Sequence, residues 1–119
     1  MGEKKILIID DERHMVRLME YHLNQRGYRV ITAFDGREGL EKANSQKPDL
    51  VLLDIKMPGM DGYEVCRQIK TFSGTSHIPV IFVSVFGDFE DARLRGANSC
   101  VKKPFTPEVL LKEVDQILR

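Results

Sequence analysis

The chain of 119 residues has no apolar run long enough to cross a membrane and no excess of either charge. Its first apolar stretch, Ile6 to Ile9, is too short for a signal peptide or a span. Met1-Gly2 opens like a myristoylation signal, but Ile6 stands where that signal needs Ser or Thr. Lys plus Arg and Asp plus Glu total 18 each, so the charge balance gives no sign of nucleic-acid or other polyanion binding. The two cysteines, Cys66 and Cys100, lack metal or redox spacing and read as reduced thiols. Repeats, low-complexity tracts and linkers are missing too. These absences leave a single domain over residues 1–119, large enough to bury a real core, with a cytoplasmic location as the expectation.

What is present is organised around residues 49–62, DLVLLDIKMPGMDG. Leu50 to Leu53 form an unbroken apolar run, which suits a parallel strand covered on both faces. The run ends on Asp54, then turns at Pro58 and Gly59 toward a helix start at Asp61 with Glu64 three residues on. An acid at the carboxyl end of a central parallel strand stands where open α/β sheets place their ligands. The plain alternative is an Asp that merely opens a turn.

Taken in order, KKILII predicts a first strand that ends on Asp10, Asp11 and Glu12. Met15, Val16, Met19 and Leu23 then follow helical spacing up to Gly27. Residues 28–33 predict a second strand, and 35–48 a helix stopped by Pro48. A helix over about 61–70 buries Val65, Cys66 and Ile69. Residues 79–84 predict strand four, 87–95 a short charged helix and 96–103 strand five. Thr106 and Pro107 are the cap and first residue of a last helix with the stripe Leu110, Val114, Ile117 and Leu118. Strands alternating with helices through short loops argue for a three-layer α/β sandwich on a parallel sheet.

That fold carries four loaded positions to one rim of the sheet: Asp10 and Asp11, Asp54, Ser84 and Lys103. Clustered carboxylates raise one another's pKa, and a bound divalent cation relieves them. Oxygen-only ligands favour Mg²⁺ or another hard ion such as Mn²⁺. With an ammonium and a hydroxyl to hold phosphoryl oxygens, the set reads as a phosphoryl-transfer site with a carboxylate nucleophile.

The chain here resembles the receiver domain of two-component response regulators. The resemblance rests on IIDDE at 8–12, LLDIKMPGMDG at 52–62, Ser84 closing a strand and Lys-Pro-Phe at 103–105. It implies a doubly wound, flavodoxin-like sheet of order 2-1-3-4-5 with five helices. It implies that Asp54 accepts a phosphoryl group from a sensor histidine kinase or phosphotransfer protein. Asp11, Asp54 and the backbone carbonyl of Lys56 would ligate Mg²⁺, with Asp10 acting through water. Lys103 would contact the phosphoryl group, and its bond to Pro104 would be cis. Ser84 would carry the signal to the face of helix four, strand five and helix five, where a downstream protein, an output domain or a second copy docks. The resemblance makes the chain a regulatory domain that catalyses its own phosphorylation and dephosphorylation, without direct nucleic-acid or membrane binding.

Three positions depart from the family pattern. Val85 replaces the usual Ala after the switch hydroxyl and would crowd the route to Asp54. Cys100 stands where strand five normally holds a Tyr or Phe. The Ser84-to-Lys103 interval is short by about one helical turn, so helix four should be short or irregular. These changes keep open a phosphorylation-independent docking or dimerisation module; a small metal-dependent phosphohydrolase is a further rival, opposed by the lack of a dedicated acid–base group. Plainer readings of single residues also stand. Asp10 to Glu12 suit a helix N-terminus, Lys103 could be a surface lysine, and Ser84 a passive hydroxyl. His14, His22 and His77 are expected in solvent, the Met15–Met19 stripe in the core, and Phe86 and Phe89 in the core rather than in a partner patch.

Overall fold

The computed structural model describes residues 3–119. The Met1-Gly2 reading lies outside the described residues. Among them no helix is long and apolar enough to cross a membrane.

Five parallel strands form one sheet: β1 (Lys5–Ile9), β2 (Arg29–Ala33), β3 (Leu50–Leu53), β4 (Val80–Ser84) and β5 (Ser99–Lys102). Their order is β2-β1-β3-β4-β5, as the resemblance implied. Between and after them run α1 (Arg13–Gln25), α2 (Gly36–Gln46), α3 (Gly62–Thr71), α4 (Phe89–Leu94) and α5 (Pro107–Leu118). The registers Ile9 with Leu53, Leu53 with Phe82 and Ser84 with Lys102 bring the strand ends level along one rim.

The unbroken apolar runs have a simple cause. Every residue of β3 and β4 is buried, because helices cover both faces. Alternate side chains divide between two cores. Leu7, Ile9, Val51, Leu53, Val80 and Phe82 pack with Val65, Cys66 and Ile69 of α3. Ile6, Ile8, Leu50, Leu52, Ile81 and Val83 pack with Val16, Met19 and Leu23 of α1 and with Leu110 and Val114 of α5. Each such aliphatic side chain contributes about 1.5–3 kcal/mol by leaving water.

Local chemistry sets the helix starts. Asp35, Asp61, Asp88 and Thr106 each accept from the backbone amide three residues on. The capping box expected at Asp61 is only half formed, since Glu64 turns its carboxylate to Arg67 and Gln68. Helix α2 stops before Pro48, with Lys47 in the left-handed region at φ 48°. The start of α3 presses on the backbone of β3: a Cβ on Gly62 would lie 2.1 Å from the Asp54 carbonyl oxygen. Glycine is required there by contact, and it sets α3 against the strand end that carries the acid.

The short fourth helix is confirmed at six residues. The core placement of Phe86 and Phe89 is not. They are 47% and 59% exposed, beside exposed Val85 and Leu94. Within so short a helix only Ala92 is buried, so the Phe89 ring does not reach the core, and Phe86 lies in the loop before the helix. His14 and His77 are exposed, whereas His22 is half-buried with its ring edge-on to Tyr21.

Candidate functional site

The carboxyl ends of β1, β3, β4 and β5 meet in a cleft of about 230 Å³ lined by Asp11, Glu12, Asp54, Lys56, Val85, Phe86 and Lys103. Asp10 and Asp54 are 1% and 6% exposed. Each is fixed by backbone. Asp10 Oδ1 accepts from the Glu12 amide at 2.9 Å, and Asp54 Oδ1 accepts from the Ile55 amide at 2.9 Å.

Lys103 reaches across from the end of β5, past a cis bond to Pro104. Its Nζ donates to Asp10 Oδ2 at 2.8 Å and Glu12 Oε1 at 3.2 Å, and lies 3.7 Å from Asp54 Oδ2. A surface role for this lysine is excluded, because its side chain is only 7% exposed. Burial alone would lower the Lys103 pKa; the hydrogen bond and charge of Asp10, with Asp54 and Glu12 adding, raise it. Burial and the charge of Asp10 push the Asp54 carboxyl above its ordinary range, with Lys103, the Ser84 hydroxyl and the Ile55 amide opposing.

Ser84 is fully buried at the end of β4, and its Oγ accepts from the Phe86 amide at 3.2 Å. The hydroxyl thus faces the acid and holds the first turn of the loop that follows.

The residues gathered differ in one respect from the set expected. Oxygens of Asp10, Glu12 and Asp54 lie within 4.8 Å of one another, while Asp11 is exposed and lines the cleft. Sequence reasoning passed over Glu12. Its signal is positional: it caps α1, yet its side chain makes no cap bond and goes to Lys103 instead. Lys56 is exposed, with its Nζ 5.4 Å from the Phe86 ring centre.

The donor set fits a hard divalent cation. Two ionised carboxylates at such spacing repel by about 3–4 kcal/mol at an effective dielectric near 20. Lys103 supplies one positive charge against three acids. The remaining deficit and the oxygen-only donors suit a small hard cation.

Comparison with known proteins places this geometry. The family model for the response regulator receiver domain matches residues 6–115. The chain is 41% identical over 119 residues to the alkaline phosphatase synthesis transcriptional regulatory protein PhoP of Bacillus subtilis, covering 98% of this chain and 49% of that protein. It is 39% identical over 118 residues to the response regulator PleD of Caulobacter vibrioides, covering 97% of this chain and 26% of that one. The chain therefore spans half or less of the length of these relatives. Among solved structures, a putative response regulator from Chloroflexus aurantiacus superposes with a TM-score of 0.92 at 31% identity, over 98% of both chains. A Borrelia burgdorferi CheX–CheY–BeF3–Mg complex gives a TM-score of 0.90 at 30% identity, over 98% of this chain and 90% of that one. Receiver domains are regulatory domains of two-component systems rather than classical enzymes, and they work with histidine kinases or phosphotransfer proteins. This chain belongs to the response regulator receiver domain family.

Proposed function

We propose that residues 1–119 form a single receiver domain acting as a phosphoacceptor switch in the cytoplasm, with Asp54 as the acceptor. The observation that carries this reading is the paired environment of Asp54: one oxygen tied to the Ile55 amide, the other 3.7 Å from a buried lysine. Oδ2 is the nucleophile, since Oδ1 is committed to the backbone. It attacks phosphorus, the new P–O bond forms, and the P–N bond of a kinase phosphohistidine breaks with its electron pair going to the imidazole.

Lys103 Nζ is positioned to move from Asp10 and Glu12 onto a phosphoryl oxygen. Ser84, whose Oγ accepts from the Phe86 amide, keeps its own proton free to donate to a second oxygen. These groups sit ready where charge develops, so little reorganisation is needed during transfer. Asp54, Asp10, Asp11 and the Lys56 backbone carbonyl would hold Mg²⁺ or Mn²⁺, with the Glu12 carboxylate close enough to join them. When bound, the cation would neutralise phosphoryl oxygens and the clustered acids. Water attacking the same phosphorus returns the free acid, so the domain also ends its own signal.

The signal leaves through the α4–β5–α5 face, to a downstream protein, an output domain or a second copy of the chain. The Bacillus relative's name supports a transcriptional output. Val85, which lines the cleft, is expected to slow gain of the phosphoryl group, its loss, or both.

Incubation with acetyl phosphate and Mg²⁺, read by intact mass, tests the proposal. One added phosphate, absent in Asp54→Asn and reduced in Asp11→Ala, is expected. One observation favours a second reading, a docking module that works without phosphate: Val85 and Phe86 are exposed at the cleft, and Phe89 and Leu94 of α4 are exposed as well. An unmodified mass together with partner binding unchanged by Asp54→Asn would select it.

A further inference from the structure

We infer that Tyr63 and Asp91 form a latch that ties α4 to α3 and couples its position to Asp54. The inference rests on the phosphoacceptor reading. Tyr63 lies in the first turn of α3, and its hydroxyl donates to Asp91 Oδ2 of α4 at 2.6 Å. The ring is held from two further sides. It meets Phe82 of β4 edge-on, with centroids 5.6 Å apart, and carries the Arg95 guanidinium at 3.4 Å above its face. Arg95 also pairs with Asp91, at 3.2 Å.

Little else fastens α4. Ala92 is its only buried residue, so a charge-assisted hydrogen bond is a large share of what holds the helix. Neighbouring Cys100, opposite Phe82 in the β4–β5 register, packs against the same core cluster as Tyr63.

The latch is joined to the site by a short run of backbone. Ser84 Oγ accepts from the Phe86 amide, fixing the chain that leads into Gly87. Gly87 has a left-handed φ of 77°, and a Cβ on it would lie 3.2 Å from both the Tyr63 hydroxyl and Asp91 Oδ2. The carbonyls of Val85 and Gly87 are both held by Lys102 of β5. When the Ser84 side chain rotates to carry its Oγ onto a phosphoryl oxygen, the Oγ moves away from the Phe86 amide, which then loses its acceptor. The backbone touching the latch then shifts, and the bond between Tyr63 and Asp91 opens. Tyr63 is a positioning residue in this scheme; it never touches the phosphoryl group.

Linkage turns this into a measurable coupling. The latch is closed in the unphosphorylated arrangement, so removing it favours the arrangement that phosphate selects. Tyr63→Phe should bind beryllofluoride with Mg²⁺ about fivefold more tightly than the unaltered chain, at the lower end of common site-to-site couplings. In the free protein the same variant should show faster hydrogen exchange at the Ala92, Arg95 and Gly96 amides, with β1 and β3 unchanged. Asp91→Asn should shift affinity in the same direction, and the double variant should add little beyond either single change. Equal or weaker beryllofluoride binding in Tyr63→Phe, or unchanged α4 exchange, overturns the latch. Failure of the unaltered chain to bind beryllofluoride, with Asp54→Asn as control, overturns the phosphoacceptor reading and the coupling with it.

Discussion

The two halves of the sheet are built to different standards. On the β2-β1-β3 side Asp10 and Asp54 follow strands whose side chains are almost all fully buried, and each of these two carboxylates is fixed by a backbone amide. On the β4-β5 side the connecting helix has six residues, buries one alanine, and leaves Val85, Phe86, Phe89 and Leu94 exposed. In the proposed switch, one half would hold a charge constellation still while the other takes a second arrangement. A switch needs both, since phosphate can only bias an element whose alternatives lie within a few kcal/mol. Lys103 and Ser84 sit on the boundary, where the proposed switch would need groups that touch both the acids and the loop after β4.

The contrast is sharpest in stability. Leu53, wholly buried on β3 against α3, should cost about 2–5 kcal/mol on truncation to Ala, read as a lower urea midpoint. A cost near that of a surface change would break the comparison. Next in size is Lys103→Met, which removes the ammonium among three acids. It should slow phosphorylation by acetyl phosphate about 10²-fold, while the chain still unfolds cooperatively.

Smaller still is the effect of Asp54→Asn without divalent cation. The Asp54 pKa is raised in the fold, first by burial and then by Asp10. Its share of stability is therefore full below the unfolded carboxylate range and is lost as pH rises through the folded value. At pH 7 the variant should melt higher than the parent, and the difference should vanish below about pH 3.9. Added Mg²⁺ should raise the melting temperature of the parent more than that of the variant. The smallest effect belongs to Phe89→Ala, expected within about 0.5 kcal/mol because the ring is already in water. A cost of several kcal/mol there would mean that the α4 side is as tightly built as the rest.

Much of the site was legible because it is written locally. The apolar run 50–53 ending on Asp54, the acids after β1 and the lysine before Pro104 each mark a strand end, and parallel topology does the gathering. The parts that were not legible depend on contacts with no local signature. Glu12 reads as one more acid at a helix start, and only its reach to Lys103, 91 residues away, draws it into the site. Tyr63 sits among helix-start residues, and its partner Asp91 lies 28 residues on. Phe86 and Phe89 were expected inside on hydrophobicity alone. The brevity of α4 turns Phe89 out, since so short a helix presents a single small residue to the core, and Phe86 lies in the loop before it.

The most direct measurement is the site of the acyl phosphate itself. After reaction with acetyl phosphate and Mg²⁺, borohydride reduction and peptide mapping should find one reduced aspartate, at position 54. A label on Asp10, Asp11 or elsewhere, or no label at all, would contradict the assignment of Asp54 as the nucleophile.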